Sequence, residues 1–128
     1  MQRFIPLTAR ILMSLIFLSS LMGKLANFEG TAGYMRHAGM TFATELFLVG
    51  AIVLLLLGGL SLLLGYKAKS GAVLLMIFLI PATLIFHTDF ADRVQMIMFM
   101  KNLAIMGGLL MVIAYGSGPF SLDSKKQA

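Results

Sequence analysis

Hydrophobic residues fall into four long segments, and the charged and turn-forming residues collect in the short stretches between them. A helix needs about 20 residues to cross roughly 30 Å of hydrocarbon at its standard rise. The second segment meets that length without any charge, since it reads LFLVGAIVLLLLGGLSLLLG from Leu46 to Gly65. We therefore predict a single all-α domain over residues 1–128, a bundle of four transmembrane helices at residues 5–26, 42–65, 69–88 and 94–115 with a tail at residues 116–128.

The first segment is the least clear of the four, because Arg10 and Lys24 leave only 13 uncharged residues between them. We expect both side chains to extend along the helix toward opposite membrane interfaces. The alternative is a cleaved signal peptide, with Arg3 in its basic region and the apolar residues as its hydrophobic core. Cleavage after Ala26 would place Lys24 where a small residue is expected, which argues for a retained helix.

The fourth segment contains a lysine within the membrane. The helix-breaking sequence GSGP at residues 116–119 must end this helix. A helix from Asn102 to Tyr115 would have only 14 residues, too few to cross the hydrocarbon, so the helix must begin near Val94. Lys101 then lies about 10 Å along the helix from its outer end, deeper than an interfacial lysine.

The distribution of basic residues predicts the orientation in the membrane. With four spans, the two sides carry unequal numbers of lysine and arginine residues, six against four. Basic residues collect in cytoplasmic loops, so we predict that both termini are cytoplasmic. The six basic residues on the predicted cytoplasmic side are Arg3, Arg10, Lys67, Lys69, Lys125 and Lys126, and the four on the outer side are Lys24, Arg36, Arg93 and Lys101.

Composition agrees with a membrane protein and excludes several other classes. Hydrophobic residues make up 59% of the chain and charged residues 12%, against about 25% charged residues in soluble domains. The net charge of +5 is scattered among the hydrophobic segments, without the basic face that nucleic-acid binding requires. The absence of cysteine excludes disulfides and thiolate-held metal centres. We expect no other metal site, because Met96 and Met100 suit ordinary packing and His87 alone cannot supply both axial ligands of a haem.

Polar residues from all four predicted helices lie at one depth, near the outer membrane face. Lys24 ends the first helix, Glu45 begins the second, His87 ends the third, and Lys101 and Asn102 lie early in the fourth. Because polar groups in hydrocarbon must find partners, we expect these side chains to form a cluster, with an ion pair between Glu45 and Lys101. Lys24 and His87, being near helix ends, also suit ordinary interfacial anchors. Two interpretations of the cluster stay open. The polar side chains either hold the helices together or form a ligand-binding site.

Helical spacing predicts which residues of the second and fourth helices point inward. Side chains that recur at alternating intervals of three and four residues share one face of a helix. The predicted inward residues are Glu45, Val49, Ile52, Leu56 and Gly59 in the second helix, and Met98, Lys101, Asn102, Ile105 and Gly108 in the fourth.

The outer loop NFEGTAGYMRHAGMT, residues 27–41, combines small, polar and aromatic residues. Its central part suits a short helix that lies in the membrane interface. The alternative is a lid over the polar cluster. Both interpretations place this segment at the outer face.

Several ordered segments resemble those of the DoxX-like family of four-helix membrane proteins, and the resemblance covers nearly the whole chain. The sequence departs from the family's pattern at Leu21, where many relatives have glycine. The matching segments are ARILMSLIFLSSLMGKLANFEGTAGYM, the pair EL followed by a glycine-punctuated helix, FHTDF, FMKNLAIMGG and GSGPFSLD. The positions that match residue by residue are Lys24, Glu45, His87, Lys101 and Asn102.

The resemblance implies a small subunit or accessory of a quinone-linked membrane oxidoreductase or redox-stress complex in a bacterial inner membrane. The partners it implies are the lipid bilayer, a quinone or a small anion, and another subunit of a redox complex. Lys101, Asn102 and His87 offer hydrogen-bond donors to a quinone carbonyl in an apolar setting. No residue obviously holds a redox centre, so the sequence leaves open whether the protein is an enzyme. A non-catalytic scaffold and a carrier of a small solute are the alternatives.

Overall fold

The computed structural model describes residues 4–123, which form five α-helices and no strand. Four of these helices are long and apolar enough to cross a membrane, which confirms the predicted all-α bundle of four transmembrane helices. Arg3, Lys125 and Lys126, which entered the orientation argument, lie outside the described residues. The helices are α1 (Phe4–Ala26), α2 (Phe28–His37), α3 (Thr44–Leu64), α4 (Ala68–Phe86) and α5 (Arg93–Tyr115), of which all but α2 are candidate spans.

The four spanning helices pack in the order α1, α3, α4, α5 around the bundle. The core between them consists of buried aliphatic side chains and Phe17. Large hydrophobic side chains stay exposed on all four helices, as a surface in contact with lipid requires. A Cβ atom added at Gly58 would lie 2.5 Å from Leu75 Cγ and 3.0 Å from the carbonyl oxygen of Gly71. Glycine at position 58 therefore lets α3 and α4 approach closely.

The inward face of α3 differs from the prediction. Glu45, Val49 and Leu56 are exposed, whereas Gly59 is buried as predicted. Since α3 is apolar on every side and lipid is as apolar as the protein interior, residue spacing alone does not separate the lipid-facing side from the inward one. On α5, where polar residues mark one side, the predicted inward residues are all buried or half-buried. The buried residues of α3 are Thr44, Leu48, Leu55, Gly58, Gly59 and Leu62.

We call the end of the bundle that is predicted to face the cytoplasm the inner end, and the opposite end the outer end. Arg10 is the main correction at the inner end. Its side chain is 1% exposed, so the prediction that it extends to the membrane interface is wrong. One guanidinium nitrogen, Nη1, donates to the carbonyl oxygen of Leu62 at 3.0 Å, and the other, Nη2, donates to that of Phe120 at 3.0 Å. The last carbonyl groups of a helix have no partner within the helix. Arg10 therefore supplies donors to the end of α3 and to the tail.

Hydrogen bonds hold the tail after α5 against the turn between α3 and α4. Asp123 accepts hydrogen bonds from the backbone N–H groups of Lys67 at 2.7 Å and Ala68 at 3.0 Å, at the start of α4. It also accepts from the hydroxyl of Ser117 at 2.7 Å. A carboxylate at a helix N-terminus satisfies free N–H groups and interacts favourably with the helix dipole. Residues 117–123 therefore close the inner end of the bundle.

The orientation of the bundle is a prediction that reporter fusions test. With both termini in the cytoplasm, fusions after Tyr66 and after Lys126 read as cytoplasmic, and fusions within residues 27–41 or near Asp92 read as external. Activity of a compartment-specific reporter gives the measurement. A fusion in the α1–α3 connection that reports the same side as the C-terminal fusion would overturn the predicted topology.

Candidate functional site

A cavity of about 400 Å³ lies inside the outer end of the bundle, where α1 ends and α5 begins. Every helix contributes to its wall, and most of the lining is apolar. Of the five predicted site residues, Lys24, His87, Lys101 and Asn102 line the cavity, and Glu45 does not. The topology therefore brings four of the five side chains around one space.

Lys24 reaches the cavity from the last turn of α1. Its side chain is half-buried, and Nζ donates to the hydroxyl of Ser20 at 3.0 Å, one turn earlier. The same nitrogen lies 5.6 Å from the centre of the Phe78 ring, within the range of a cation–π contact. These are weak partners for a full positive charge.

Lys101 reaches the same cavity from α5. It lies about 12 Å along the helix axis from Arg93, at the standard rise, and its side chain is half-buried. Its Nζ contacts the thioether sulfur of Met98 at 3.5 Å, and such a sulfur is a weak acceptor. Within residues 4–123, neither Lys101 nor Lys24 has a carboxylate partner. Two ammonium groups therefore share one cavity without a protein counter-ion.

Glu45 forms an ion pair with Arg36 instead of Lys101, so the predicted pair is wrong. Both side chains are well exposed, Arg36 at 44% and Glu45 at 56%. Two features of the fold explain the difference. The short helix α2 brings Arg36 beside the first turn of α3, and the rotation of α3 buries Thr44 rather than Glu45.

Asn102 lies on the inner wall of the cavity and links α5 to α4. It is 7% exposed, and its Nδ2 donates to the hydroxyl oxygen of Thr83 at 2.9 Å. Thr83 in turn donates to the carbonyl oxygen of Leu79 at 2.7 Å. Thr83 was not among the predicted site residues. Its signal was a small polar residue within an apolar span, a residue type that often joins membrane helices.

His87 follows the last residue of α4 and lines the cavity. Its Nδ1 atom is buried, and it has no hydrogen-bond partner in the described part of the chain. Burial, and to a lesser extent the positive charge of Lys101, lower the pKa of His87 below its usual value. The neutral imidazole is therefore the favoured form in the folded protein.

The shifted pKa of His87 makes stability depend on pH. The unfolded chain, with the usual histidine pKa of about 6.5, takes up a proton more readily than the folded protein does. We therefore expect the thermal midpoint to fall as the pH drops below about 6.5, and His87→Gln to reduce that fall. His37→Gln, which replaces an exposed histidine, is the matched control. An unchanged pH slope in His87→Gln would show that His87 is not the responsible group.

Helix α2 covers the outer end of the cavity. Asn27 caps it by accepting from the N–H of Gly30 at 3.1 Å. Met35 is buried against α3, and the ring of Tyr34 stacks on that of Phe86 with 5.3 Å between ring centres. The predicted short helix in this loop is confirmed, and three of its residues, Thr31, Tyr34 and Met35, form part of the cavity wall.

The contact between α1 and α5 is the weakest around the bundle. Among neighbouring spanning helices in the described chain, α1 and α5 pack together least. In the inner half Met13 covers Gly108, with its sulfur 2.9 Å from where a Cβ atom would lie. In the outer half both helices contribute to the cavity wall, α1 with Lys24 and α5 with Lys101.

The chemistry available in the cavity is hydrogen-bond donation and positive charge. Lys24 and Lys101 are donors only, and Asn102 and neutral His87 can each donate one or more hydrogen bonds. Residues 4–123 contain no group of three or more His, Cys, Asp or Glu side chains placed to hold a metal ion. The arrangement suits a head group that accepts hydrogen bonds, attached to an apolar body.

Comparison with known proteins agrees with this architecture. The family model described as DoxX matches residues 5–88, which include α1 to α4 and His87. The inner membrane protein YqjF of Escherichia coli is 36% identical over 118 residues, which covers 91% of this chain and 88% of that protein. The inner membrane protein YphA of the same organism is 32% identical over 124 residues, with 93% and 88% covered.

A more distant relative is the ER-derived vesicles protein ERV29 of Saccharomyces cerevisiae, 28% identical over 107 residues, which covers 74% of this chain and 34% of that protein. No solved structure matches the chain. The family model covers more than half of the chain, and two inner membrane proteins match along nearly their whole length. The chain therefore belongs to the DoxX family and is a multi-pass inner membrane protein.

Proposed function

We propose that this protein binds a membrane-soluble ligand in its outer cavity, a molecule with a quinone or small anionic head group. We further propose that it acts as a small subunit or accessory of a quinone-linked membrane oxidoreductase or redox-stress complex. The observation that supports ligand binding is the pair of half-buried lysines, Lys24 and Lys101, which line an apolar cavity and have no carboxylate partner in the described part of the chain. The role in a redox complex rests on the family resemblance alone.

Lys101 lies within a membrane-spanning helix, where a lysine side chain is costly. A charged lysine at the centre of a spanning helix costs about 2.5–3.5 kcal/mol on insertion scales. Such residues are usually paired or face a polar cavity, and they often mark a binding site or pathway. Lys101 faces a cavity in which its nearest partner is a thioether. A ligand with acceptor oxygens would supply the missing hydrogen bonds.

A structural role is the second candidate, because one hydrogen bond in the cavity wall joins two spanning helices. Asn102 and Thr83 are both buried and join α5 to α4. Bonds of this kind between membrane helices contribute about 0.6 kcal/mol on average. The lysines do not fit this explanation as well, since neither bonds to another helix through a polar side chain. If the protein is only a scaffold, replacing the lysines should leave the amount of co-purified small molecule unchanged.

Extraction of the purified protein tests the proposal. Protein is solubilised in a mild detergent, and the co-purified lipids are extracted and analysed by absorbance and mass spectrometry. We expect a quinone or a lipophilic anion in the extract of the unmodified protein. A hydrogen bond to a charged group is worth about 1.5–3 kcal/mol, so Lys101→Met should lower the bound amount by roughly tenfold or more. Lys69→Met removes an exposed lysine outside the cavity and is the matched control.

Two results would contradict the proposal. Equal amounts of the same compound in the unmodified protein and in Lys101→Met would place its binding outside the cavity. An extract without such a compound, together with a stable protein partner unrelated to redox chemistry, would favour the scaffold hypothesis.

A further inference from the structure

Resting on the ligand site proposed above, we infer that the head group of its ligand is an anion, a carboxylate or phosphate carried on a single hydrocarbon chain. The proposed function leaves a neutral quinone and an anion as equal candidates. The distribution of charge around the cavity separates them.

The lining of the cavity is positive and contains no acid. Lys24 and Lys101 supply the charge, and no described Asp or Glu side chain lines the cavity. Four carboxylates, those of Glu29, Glu45, Asp89 and Asp92, lie at the same end of the bundle, and none of them lines the cavity. Glu45 pairs with Arg36, and Asp92 caps α5 by accepting from the N–H of Val94 at 2.9 Å.

The two ammonium groups need a negative charge more than they need a neutral acceptor. Placing like charges in one poorly solvated space is unfavourable, and an opposite charge nearby favours the charged form of each lysine. A quinone carbonyl accepts hydrogen bonds but leaves both charges uncompensated. A carboxylate or phosphate has several acceptor positions and forms the shorter, stronger bonds of a charge-assisted pair. The anion therefore satisfies both the donors and the charge.

The apolar wall and the volume define the rest of the ligand. Below the lysines the wall consists of side chains such as Phe17, Leu79 and Ile105. A volume of about 400 Å³ lies at the small end of ligand-sized pockets and suits one chain rather than the two chains of a phospholipid. Because α1 and α5 pack together less than the other neighbouring spanning helices, a longer chain would leave the cavity between these two helices and enter the membrane.

Direct binding measurements on the purified full-length protein in detergent micelles test this inference. The probes are dodecanoate, dodecyl phosphate, uncharged dodecanol and a short-chain ubiquinone analogue, each titrated by calorimetry. We expect at least one of the two anions to bind at least about tenfold more tightly than dodecanol and the quinone analogue. Comparison of dodecanoate with dodecyl phosphate identifies the head group.

Substitutions at Lys24 and Lys101 test whether these charges give the preference for an anionic over an uncharged head group. Lys24→Gln and Lys101→Gln should each lose most of the anion preference, and Lys101→Arg should keep it, because it keeps the charge. Lys69→Gln, outside the cavity, should behave like the unmodified protein. The thermal midpoint of each variant shows that it is folded.

The outcomes separate this inference from the proposed function. If the anions bind and the quinone analogue does not, the inference holds and the quinone assignment fails. If the quinone analogue binds as tightly as the anions, or the glutamine variants keep the anion preference, the inference is wrong although the ligand site stands. If no probe binds the unmodified protein more tightly than it binds Lys24→Gln, both the inference and the proposed ligand site are wrong.

Discussion

Replacing Arg10 with methionine is expected to lower the free energy of unfolding by about 3 kcal/mol, which is a large effect for a single residue. Arg10 is 1% exposed and donates to the carbonyl oxygens of Leu62 and Phe120. Methionine fills a similar space but donates nothing, so these carbonyl groups lose a charged partner. The inner end of α3 and the tail that caps α4 are then no longer joined through the side chain at position 10.

Equilibrium unfolding in mixed micelles measures this loss. Lys69→Met provides the control, because it also replaces a basic side chain with methionine, at an exposed position in the first turn of α4. A change of roughly 0.5 kcal/mol or less is expected there. A similar loss of unfolding free energy in Arg10→Met and Lys69→Met would show that the hydrogen bonds of Arg10 contribute little to stability.

The second large effect is expected from filling the cavity. Ala82 lies on α4 and contributes to the cavity wall. Phenylalanine at this position would occupy part of the space that the ligand needs. We expect Ala82→Phe to weaken the binding of whichever probe the unmodified protein binds by roughly tenfold to a hundredfold, the equivalent of 1–3 kcal/mol of steric cost. All charged residues stay in place in this variant.

Calorimetric titration measures the change, and Ala104→Phe is the matched control because Ala104 is exposed toward lipid on α5 and lies outside the cavity wall. The thermal midpoint of Ala82→Phe should stay close to that of the unmodified protein, since the new ring enters empty space. Undiminished binding by Ala82→Phe would show that the probe binds elsewhere.

The membrane architecture was predictable because the length of the hydrophobic segments reports directly on the thickness of the hydrocarbon. The depth of Lys101 followed from the same reasoning, since GSGP at residues 116–119 limits where α5 can end. The inward face of α5 was also predictable, because Lys101 and Asn102 mark it. On α3 the hydroxyl of Ser61 is the one polar side chain beyond the first turn, which is too little to mark a face, and the predicted face was displaced from the observed one.

The ion pair of Glu45 was not predictable from spacing, because it depends on a tertiary contact. Arg36 belongs to α2, and the position of this short helix relative to α3 is set by the packing of Met35 and Leu48. Arg10 and Asp123 present the same difficulty. Their partners, such as Leu62, Phe120 and Lys67, are distant in the chain, and nothing in the local sequence pairs them.

Native mass spectrometry of the protein released from mild detergent tests whether the lysine-lined cavity holds a ligand. Unmodified protein and the double variant Lys24→Met/Lys101→Met are purified from the same membranes in parallel. We expect the unmodified protein to carry a discrete small-molecule adduct that is missing from the folded double variant. A bare mass for the unmodified protein, or the same adduct on both proteins, would contradict ligand binding by Lys24 and Lys101.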